Sequence, residues 1–113
     1  MQSDQANKIY DLIIQEFPHC TVKKEYSVKY KGQQLFFDYY LKDYRILFEI
    51  QGRQHSEYVK HFHRDKRGFI KSKKRDNLKI AYCDENNLTL ITINYDEKID
   101  TKDDLLKKID EAL

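Results

Sequence analysis

The chain has 113 residues, enough for one domain with its own core, and we expect a single domain over residues 1–113. Charged residues make up 35% of it and no apolar run approaches membrane-spanning length, which excludes a transmembrane protein. The two cysteines, Cys20 and Cys83, are too few for a disulfide framework and lack zinc-finger spacing, so we expect them to be reduced. No signal-peptide pattern opens the chain, and we expect a soluble, cytoplasmic protein.

The formal net charge of +2 conceals an uneven distribution. Residues 53–79 contain ten Lys or Arg against three acids, so the rest of the chain is acidic. Such segregation favours a polyanionic partner such as nucleic acid. The alternative is a solvated helix face without a partner.

The first predicted element is a helix from about Asp4 to Phe17. Ser3 is suited to the N-cap and Pro18 marks the end. The apolar residues recur at helical spacing: Ile9, Leu12, Ile13 and Phe17.

Three strands should follow as an antiparallel meander. The first begins near Val22 and ends in a KGQ turn, where Gly32 can take positive φ. The second and third cover about 34–41 and 45–51, with the polar sequence LKDY between them. One face of the third strand is wholly apolar (Ile46, Phe48, Ile50), which predicts a central strand covered by helices.

The second half predicts helix, strand and helix. Residues 58–67 and 69–83 read as one helix broken at Gly68, or as two. Residues 88–93 (LTLITI) predict a buried strand parallel to one strand of the meander, because a helical crossover precedes it. Residues 100–113 predict a capped amphipathic helix. We expect these side chains to face the sheet: Tyr58, Phe62, Phe69, Ile70 and Ile80 from the middle segment, and Leu105, Leu106, Ile109 and Leu113 from the last.

Two acids interrupt the apolar strands. Asp38 lies within LFFDYYL, where strand alternation gives it the face of Phe36 and Tyr40. Glu49 and Gln51 share the face opposite Ile46 and Phe48, and pairing across the hairpin would bring Asp38 towards Glu49. Two neighbouring carboxylates repel unless a proton or metal ion lies between them, and Mg²⁺ prefers such ligands. The alternatives are a salt bridge or exposed strand acid at Asp38, and a polar strand end at Glu49.

The spacing resembles a nuclease signature. The chain resembles the PD-(D/E)xK motif in the spacing of its polar strand residues. Ten residues separate the Asp from the Glu, and one apolar residue separates the Glu from Gln51, which stands in the lysine position. Within the PD-(D/E)xK superfamily, the chain resembles the very-short-patch-repair-like branch, which includes the EDxHD phage homing endonucleases. This resemblance is carried by the segments FDYYL and FEIQGRQH and by Arg75-Asp76 with Lys79. The resemblance implies an α/β, restriction-endonuclease-like αβββαβα core with a mixed sheet of about four strands. It also implies a Mg²⁺-dependent DNA endonuclease, with Mn²⁺ able to substitute, in a bacterial or phage-infected cell.

The resemblance also implies roles for individual residues. Asp38 and Glu49 would bind the metal, and Gln51 would orient water or phosphate. His55 could shuttle protons, and Asp76 would orient His55 or reach the metal, unless it only pairs with its helix neighbour Lys79. The catalytic set is therefore Asp38, Glu49, Gln51, His55 and Asp76, and the expected DNA-binding residues are Arg53, Arg64, Lys71, Lys74, Arg75 and Lys79.

Two departures leave other functions open. Gln51 is neither a carboxylate nor a lysine, and Gln5-Ala6-Asn7 stands where the family tends to carry a glutamate in its first helix. A catalytically impaired nucleic-acid-binding module on the same scaffold is therefore the alternative, and RNA cleavage also stays open. The sequence also leaves open a homodimer. One active site cuts one strand, so cutting both strands would require either a dimer or two sequential nicks.

Overall fold

One mixed four-stranded sheet, in the order β1-β2-β3-β4, organises the computed structural model, which describes residues 4–51 and 66–113. The predicted α/β architecture, compatible with an αβββαβα core, is confirmed. The elements are α1 (Asp4–Glu16), β1 (Val22–Tyr30), β2 (Gln33–Leu41), β3 (Ile46–Gln51), α2 (Lys66–Glu85), β4 (Thr89–Asn94) and α3 (Lys102–Ala112), with a 3-10 turn at Lys42–Tyr44.

The strand pairing agrees with the predicted meander and crossover. β1 and β2 pair antiparallel across a two-residue turn in which Lys31 and Gly32 have φ of 50° and 79°. Positive φ at both central residues produces the tight twist that hairpins favour, and Gly32 adopts it without steric cost. β2 pairs antiparallel with β3, and β3 pairs parallel with β4 along its whole length. β3 is therefore the central strand on which both halves of the chain meet.

Two apolar cores cover the faces of the sheet. The helices α1 and α3 pack on one face, and α2 packs on the other. Tyr39 anchors α1, because its buried hydroxyl donates a 2.7 Å hydrogen bond to the carbonyl of Ala6. The α1/α3 core includes Ile9, Ile13, Tyr39, Phe48, Ile91 and Leu105, and the α2 core includes Leu35, Phe37, Tyr40, Leu47 and Cys83.

A kink divides the β1-β2 hairpin at Glu25 and Asp38. Residues two apart in a strand normally share a face, but Phe37 belongs to the α2 core and Tyr39 to the α1/α3 core. Glu25, opposite the kink, has φ of 51°. Beyond the kink the hairpin packs against α2, where the Tyr30 hydroxyl donates to Glu85 Oε2 at 2.7 Å.

The kink overturns the expected alternation around Asp38. Phe36 is exposed and Tyr40 is buried in the α2 core, so these two do not share one face. The reason is the local backbone: an extra step in each strand reverses the alternation without changing the pairing register.

The middle helix differs from its prediction in two ways. α2 continues through Gly68, so the expected break there is wrong. Ile70 and Ile80 are half exposed and do not face the core, because the buried face of the helix carries Lys79 and Cys83 instead. Residues 52–65, which include the expected sheet-facing Tyr58 and Phe62, lie outside the described residues.

The C-terminal helix begins at a capping box. Thr101 Oγ1 accepts from the Asp104 backbone N–H, and the Asp104 carboxylate accepts from the Thr101 N–H. Leu105 and Ile109 are buried as predicted, but Leu113 is 75% exposed and its expected inward position is wrong. Among the described helices, none combines the length and apolarity needed to cross a bilayer.

Candidate active site

Asp38 lies where β2 and β3 separate. The last residue pair between these strands is Tyr39 with Phe48, and Asp38 is the next residue outward on β2. Its Oδ2 accepts a 2.8 Å hydrogen bond from the backbone N–H of Ile50. A side-chain carboxylate thus accepts the hydrogen bond that a backbone carbonyl of β2 would accept if the strand pairing continued.

Glu49 lies on the neighbouring strand, on the α2 side of the sheet. It is 9% exposed, and the ammonium of Lys79 from α2 lies 2.9 Å from its Oε2. Apart from this contact, Oε2 has no hydrogen-bond partner among the described residues. Glu49 is therefore neutralised by a nearby charge while one of its oxygens keeps unused acceptor capacity.

The proton affinity of Glu49 is unusual for a carboxyl group. Burial raises its pKa to about 7, since removal of water penalises the charged form. The positive charge of Lys79 acts in the opposite direction, and the carboxylates of Asp38 and Asp76 raise the pKa further by repulsion. Three acids from β2, β3 and α2 thus share one electrostatic environment, and Glu49 exchanges its proton near neutral pH.

Asp76 and Lys79 reach this environment from α2. They are three positions apart and therefore lie on one side of the helix. Asp76 is half buried and Lys79 is 6% exposed. Among the described residues the ion pair of Lys79 is with Glu49, and no Asp76–Lys79 ion pair is found there. The face of α2 that packs on the sheet is therefore polar at Asp76 and Lys79 and becomes apolar one turn later, at Cys83.

The basic residues of α2 separate into two groups. Lys71, Lys74 and Arg75 are exposed, as a surface for phosphate contact requires. Lys79, expected in the same group, is instead directed into the sheet towards Glu49. The helix therefore presents positive charge outward and one buried ammonium inward.

The other predicted site residues are only partly described. Gln51 is half buried at the end of β3, paired in register with Asn94 of β4. Arg53, His55 and Arg64 lie outside the described residues. Across residues 4–51 and 66–113, no group of three His, Cys, Asp or Glu side chains is arranged to hold a metal ion.

Gln5 has a structural role that sequence reasoning missed. Its amide nitrogen donates to the carbonyls of Asn94 and Glu97, at 3.3 and 3.2 Å. This ties the first turn of α1 to the loop that follows β4. Gln5 therefore holds two backbone carbonyls, a role that suits an amide donor.

The buried position of Lys79 was also missed. Lys79 lies three residues after Asp76 and four before Cys83, and this spacing places all three on one helical face. A basic residue one helical turn before Cys83, a residue type that is usually buried, was the available signal. Its place within a run of lysines and arginines concealed it.

The comparisons with known proteins identify viral relatives without a known function. An uncharacterized protein, 307L, of Invertebrate iridescent virus 6 is 38% identical over 64 residues, which are 57% of this chain and 32% of that protein. An uncharacterized protein, 094L, of Frog virus 3 (isolate Goorha) is 40% identical over 68 residues, covering 59% of this chain and 44% of that protein. This chain therefore spans less than half the length of either relative. No family model matches the chain, and no solved structure matches it.

Proposed function

We propose that this chain is a metal-dependent endonuclease that hydrolyses phosphodiester bonds in DNA. The observation that carries the proposal is the environment of Glu49, a buried carboxyl with a pKa of about 7 beside Asp38 and Asp76. Burying an ionisable carboxyl costs free energy, and an apolar residue at the same position would not have this cost. Carboxyl groups with strongly shifted pKa values cluster at functional sites. The exposed basic residues of α2 supply the charge that a nucleic acid backbone requires.

Asp38 and Glu49 are the residues that would hold Mg²⁺ or Mn²⁺. The fit rests on Glu49 Oε2, whose polar contact among the described residues is with the Lys79 ammonium alone, and on two carboxyl groups close enough to repel each other. Mg²⁺ usually binds one or two carboxylates and completes its shell with water and substrate phosphate, so a larger protein ligand set is not needed. When bound, the ion would stabilise charge on the phosphate and promote ionisation of water.

Lys79 would supply the positive charge that Gln51 lacks. In the PD-(D/E)xK motif a lysine follows the acid on the same strand, whereas here α2 places an ammonium 2.9 Å from Glu49. Lys79 would favour the ionised form of Glu49 and would stabilise negative charge at the phosphate. Gln51, at the end of β3, would orient water or phosphate through its amide. Lys71, Lys74 and Arg75 would contact flanking phosphates.

The second candidate is a nucleic-acid-binding module without catalysis. It is favoured by one observation: the amide of Gln5 donates to the carbonyls of Asn94 and Glu97, and Gln5 belongs to the segment Gln5-Ala6-Asn7, where the similar nucleases tend to carry a glutamate. A structural amide there cannot serve as an acid or base. The exposed basic face of α2 would remain, and with it salt-sensitive binding.

Plasmid nicking distinguishes the two candidates. Purified protein is incubated with supercoiled plasmid and Mg²⁺ or Mn²⁺, with EDTA as one control. Asp38→Asn removes the charge and retains an acceptor for the Ile50 N–H, and Asp110→Asn makes the same change at an exposed position on α3. Metal-dependent nicking that Asp38→Asn abolishes and Asp110→Asn preserves supports the nuclease. Salt-sensitive binding without nicking supports the module.

The same assay addresses the remaining alternatives. A matched RNA substrate tests whether the sugar matters, and direct linearisation without a nicked intermediate would indicate a homodimer that cuts both strands. The viral relatives favour action inside a virus-infected cell. The resemblance implies a bacterial or phage-infected host, whereas these two relatives come from viruses named for invertebrates and frogs.

A further inference from the structure

Phe36 lies exposed on the outer face of the β1-β2 hairpin. Beyond the kink at Asp38, one face of the hairpin packs on α2 through Val28, Leu35 and Phe37. The opposite face, which we call the outer hairpin face, carries four exposed side chains: Ser27, Lys29, Gln34 and Phe36. The register places Phe36 beside Ser27 and Lys29 beside Gln34, so the four form one contiguous patch.

The exposure of Phe36 differs from that of Tyr44, the other aromatic side chain that is more than half exposed among the described residues. Single apolar residues on a surface need no explanation, and Tyr44 is as exposed as Phe36, at 58% against 59%. Tyr44, however, packs against the tilted ring of Phe17, with centroids 5.4 Å apart. Within the described part of the chain, Phe36 has no aromatic partner, and Lys29 has no ion pair. A ring and an ammonium that both lack such partners among these residues therefore lie together.

We propose that the outer hairpin face binds an unpaired stretch of nucleic acid, with a base stacked on Phe36 and the adjacent phosphate on Lys29. Proteins that bind single strands combine aromatic rings for stacking with positive charge for the backbone, and this patch has both. Gln34 and Ser27 add hydrogen-bonding groups and no acid. The inference rests on the proposed function in one respect: it takes the polyanionic partner to be a nucleic acid.

The patch and the candidate active site lie on different faces of the sheet. Phe36 is two residues from Asp38 in sequence, but the kink separates them, and the patch faces away from α2 whereas Glu49 lies on the α2 side. The patch is therefore a binding surface separate from the candidate active site. The substrate class that it fits is nucleic acid with unpaired bases, such as a flap, bubble or frayed end.

Tryptophan fluorescence gives a direct test, since the chain contains no tryptophan. Phe36→Trp introduces a single indole at the patch, and Tyr44→Trp introduces one at a site of equal exposure in the turn before β3. Single-stranded oligonucleotide and blunt duplex of the same sequence are titrated in EDTA. We expect single strand to quench the indole of Phe36→Trp and to leave that of Tyr44→Trp unchanged. Equal quenching of both, or of neither, overturns the inference.

Affinity provides the second measurement. Phe36→Ala should weaken single-strand binding about tenfold, as loss of one base stack does, and duplex binding less than about twofold. Phe36→Tyr, which keeps the ring, should bind as the wild type does. Unchanged single-strand affinity in Phe36→Ala contradicts the proposal, as does self-association of the wild type that the alanine variant abolishes, since that would identify a second copy as the occupant.

The outcomes separate this inference from the nuclease proposal. Metal-dependent nicking by a protein whose Phe36→Ala variant binds single strand normally would leave the nuclease standing without the stacking site. Stacking on Phe36 by a protein that never nicks would establish the site and reject the nuclease.

Discussion

The ammonium of Lys79 lies 2.9 Å from the carboxylate of Glu49, with 7% and 11% of the two side chains exposed. This pair joins α2 to the central strand of the sheet. A buried ion pair contributes little net stability compared with apolar residues, yet removing one partner leaves a buried charge without compensation. The pair is therefore better explained by a need for charge at this position than by stability.

The first prediction concerns the loss of Lys79. Lys79→Met leaves Glu49 without its cation, and we expect it to reduce the free energy of unfolding by about 3–5 kcal/mol at about pH 8. At about pH 5 the cost should be smaller by about 1.4 kcal/mol, because Glu49 has a pKa of about 7 and is already protonated at that pH in the folded wild type. Urea denaturation at both pH values measures this.

Lys74→Met is the matched control for this variant. It makes the same change on an exposed part of the same helix, and we expect less than about 0.5 kcal/mol at either pH. Equal effects of the two substitutions would mean that the buried pair does not form.

The second prediction concerns the titration of Glu49. Its pKa is about 7 in the folded chain and near 4.5 when unfolded, so the folded state binds more protons between these values. Folding stability should therefore fall as pH rises from about 4.5 to 7 and level off above, by up to about 3 kcal/mol. In Glu49→Gln this contribution is absent. The stability difference between variant and wild type should shift in favour of the variant by that amount, and a difference independent of pH would contradict the assignment.

The sequence predicted the architecture well because the elements that carry it have regular patterns. The alternation of Ile46, Phe48 and Ile50 identified the central strand, and the loop residues Gly32 and Pro18 marked turns with local backbone requirements. These signals depend only on residues that are neighbours in the sequence, and the structure contains the strand and the turns that they predict.

Features that depend on distant contacts were not predictable in this way. The kink at Asp38 involves Glu25 on the opposite strand, and no local pattern indicates an extra step shared by two strands. The inward direction of Lys79 depends on a carboxylate thirty residues earlier in the chain. The acids themselves were recognisable, since apolar neighbours made them conspicuous, but their partners were not.

The third prediction concerns the hydroxyl of Tyr39. It donates to the Ala6 carbonyl in the buried contact between β2 and α1. Tyr39→Phe keeps the ring and leaves that contact unmade, so we expect a loss of about 1 kcal/mol in the free energy of unfolding. Tyr44→Phe removes an exposed hydroxyl and should change stability by less than about 0.5 kcal/mol. Thermal or urea denaturation compares the two, and equal losses would argue against the buried bond.

The last prediction separates the two roles of Asp38, as a backbone acceptor and as a charge. Asp38→Asn keeps a side-chain oxygen for the Ile50 N–H, whereas Asp38→Ala leaves that donor without its partner. We expect the alanine variant to lose about 1–3 kcal/mol of stability and the asparagine variant less than about 1 kcal/mol. Removing the charge should also relieve repulsion on Glu49 and so lower its pKa in both variants.

Activity should follow charge, while stability follows the hydrogen bond. Both Asp38 variants should lose metal-dependent nicking, because each removes a carboxylate that would bind the ion. Denaturation curves and plasmid assays on the same preparations compare the two effects. An asparagine variant that is stable and fully active would show that Asp38 serves only to bridge the separating strands, and the active site would then have to be sought elsewhere.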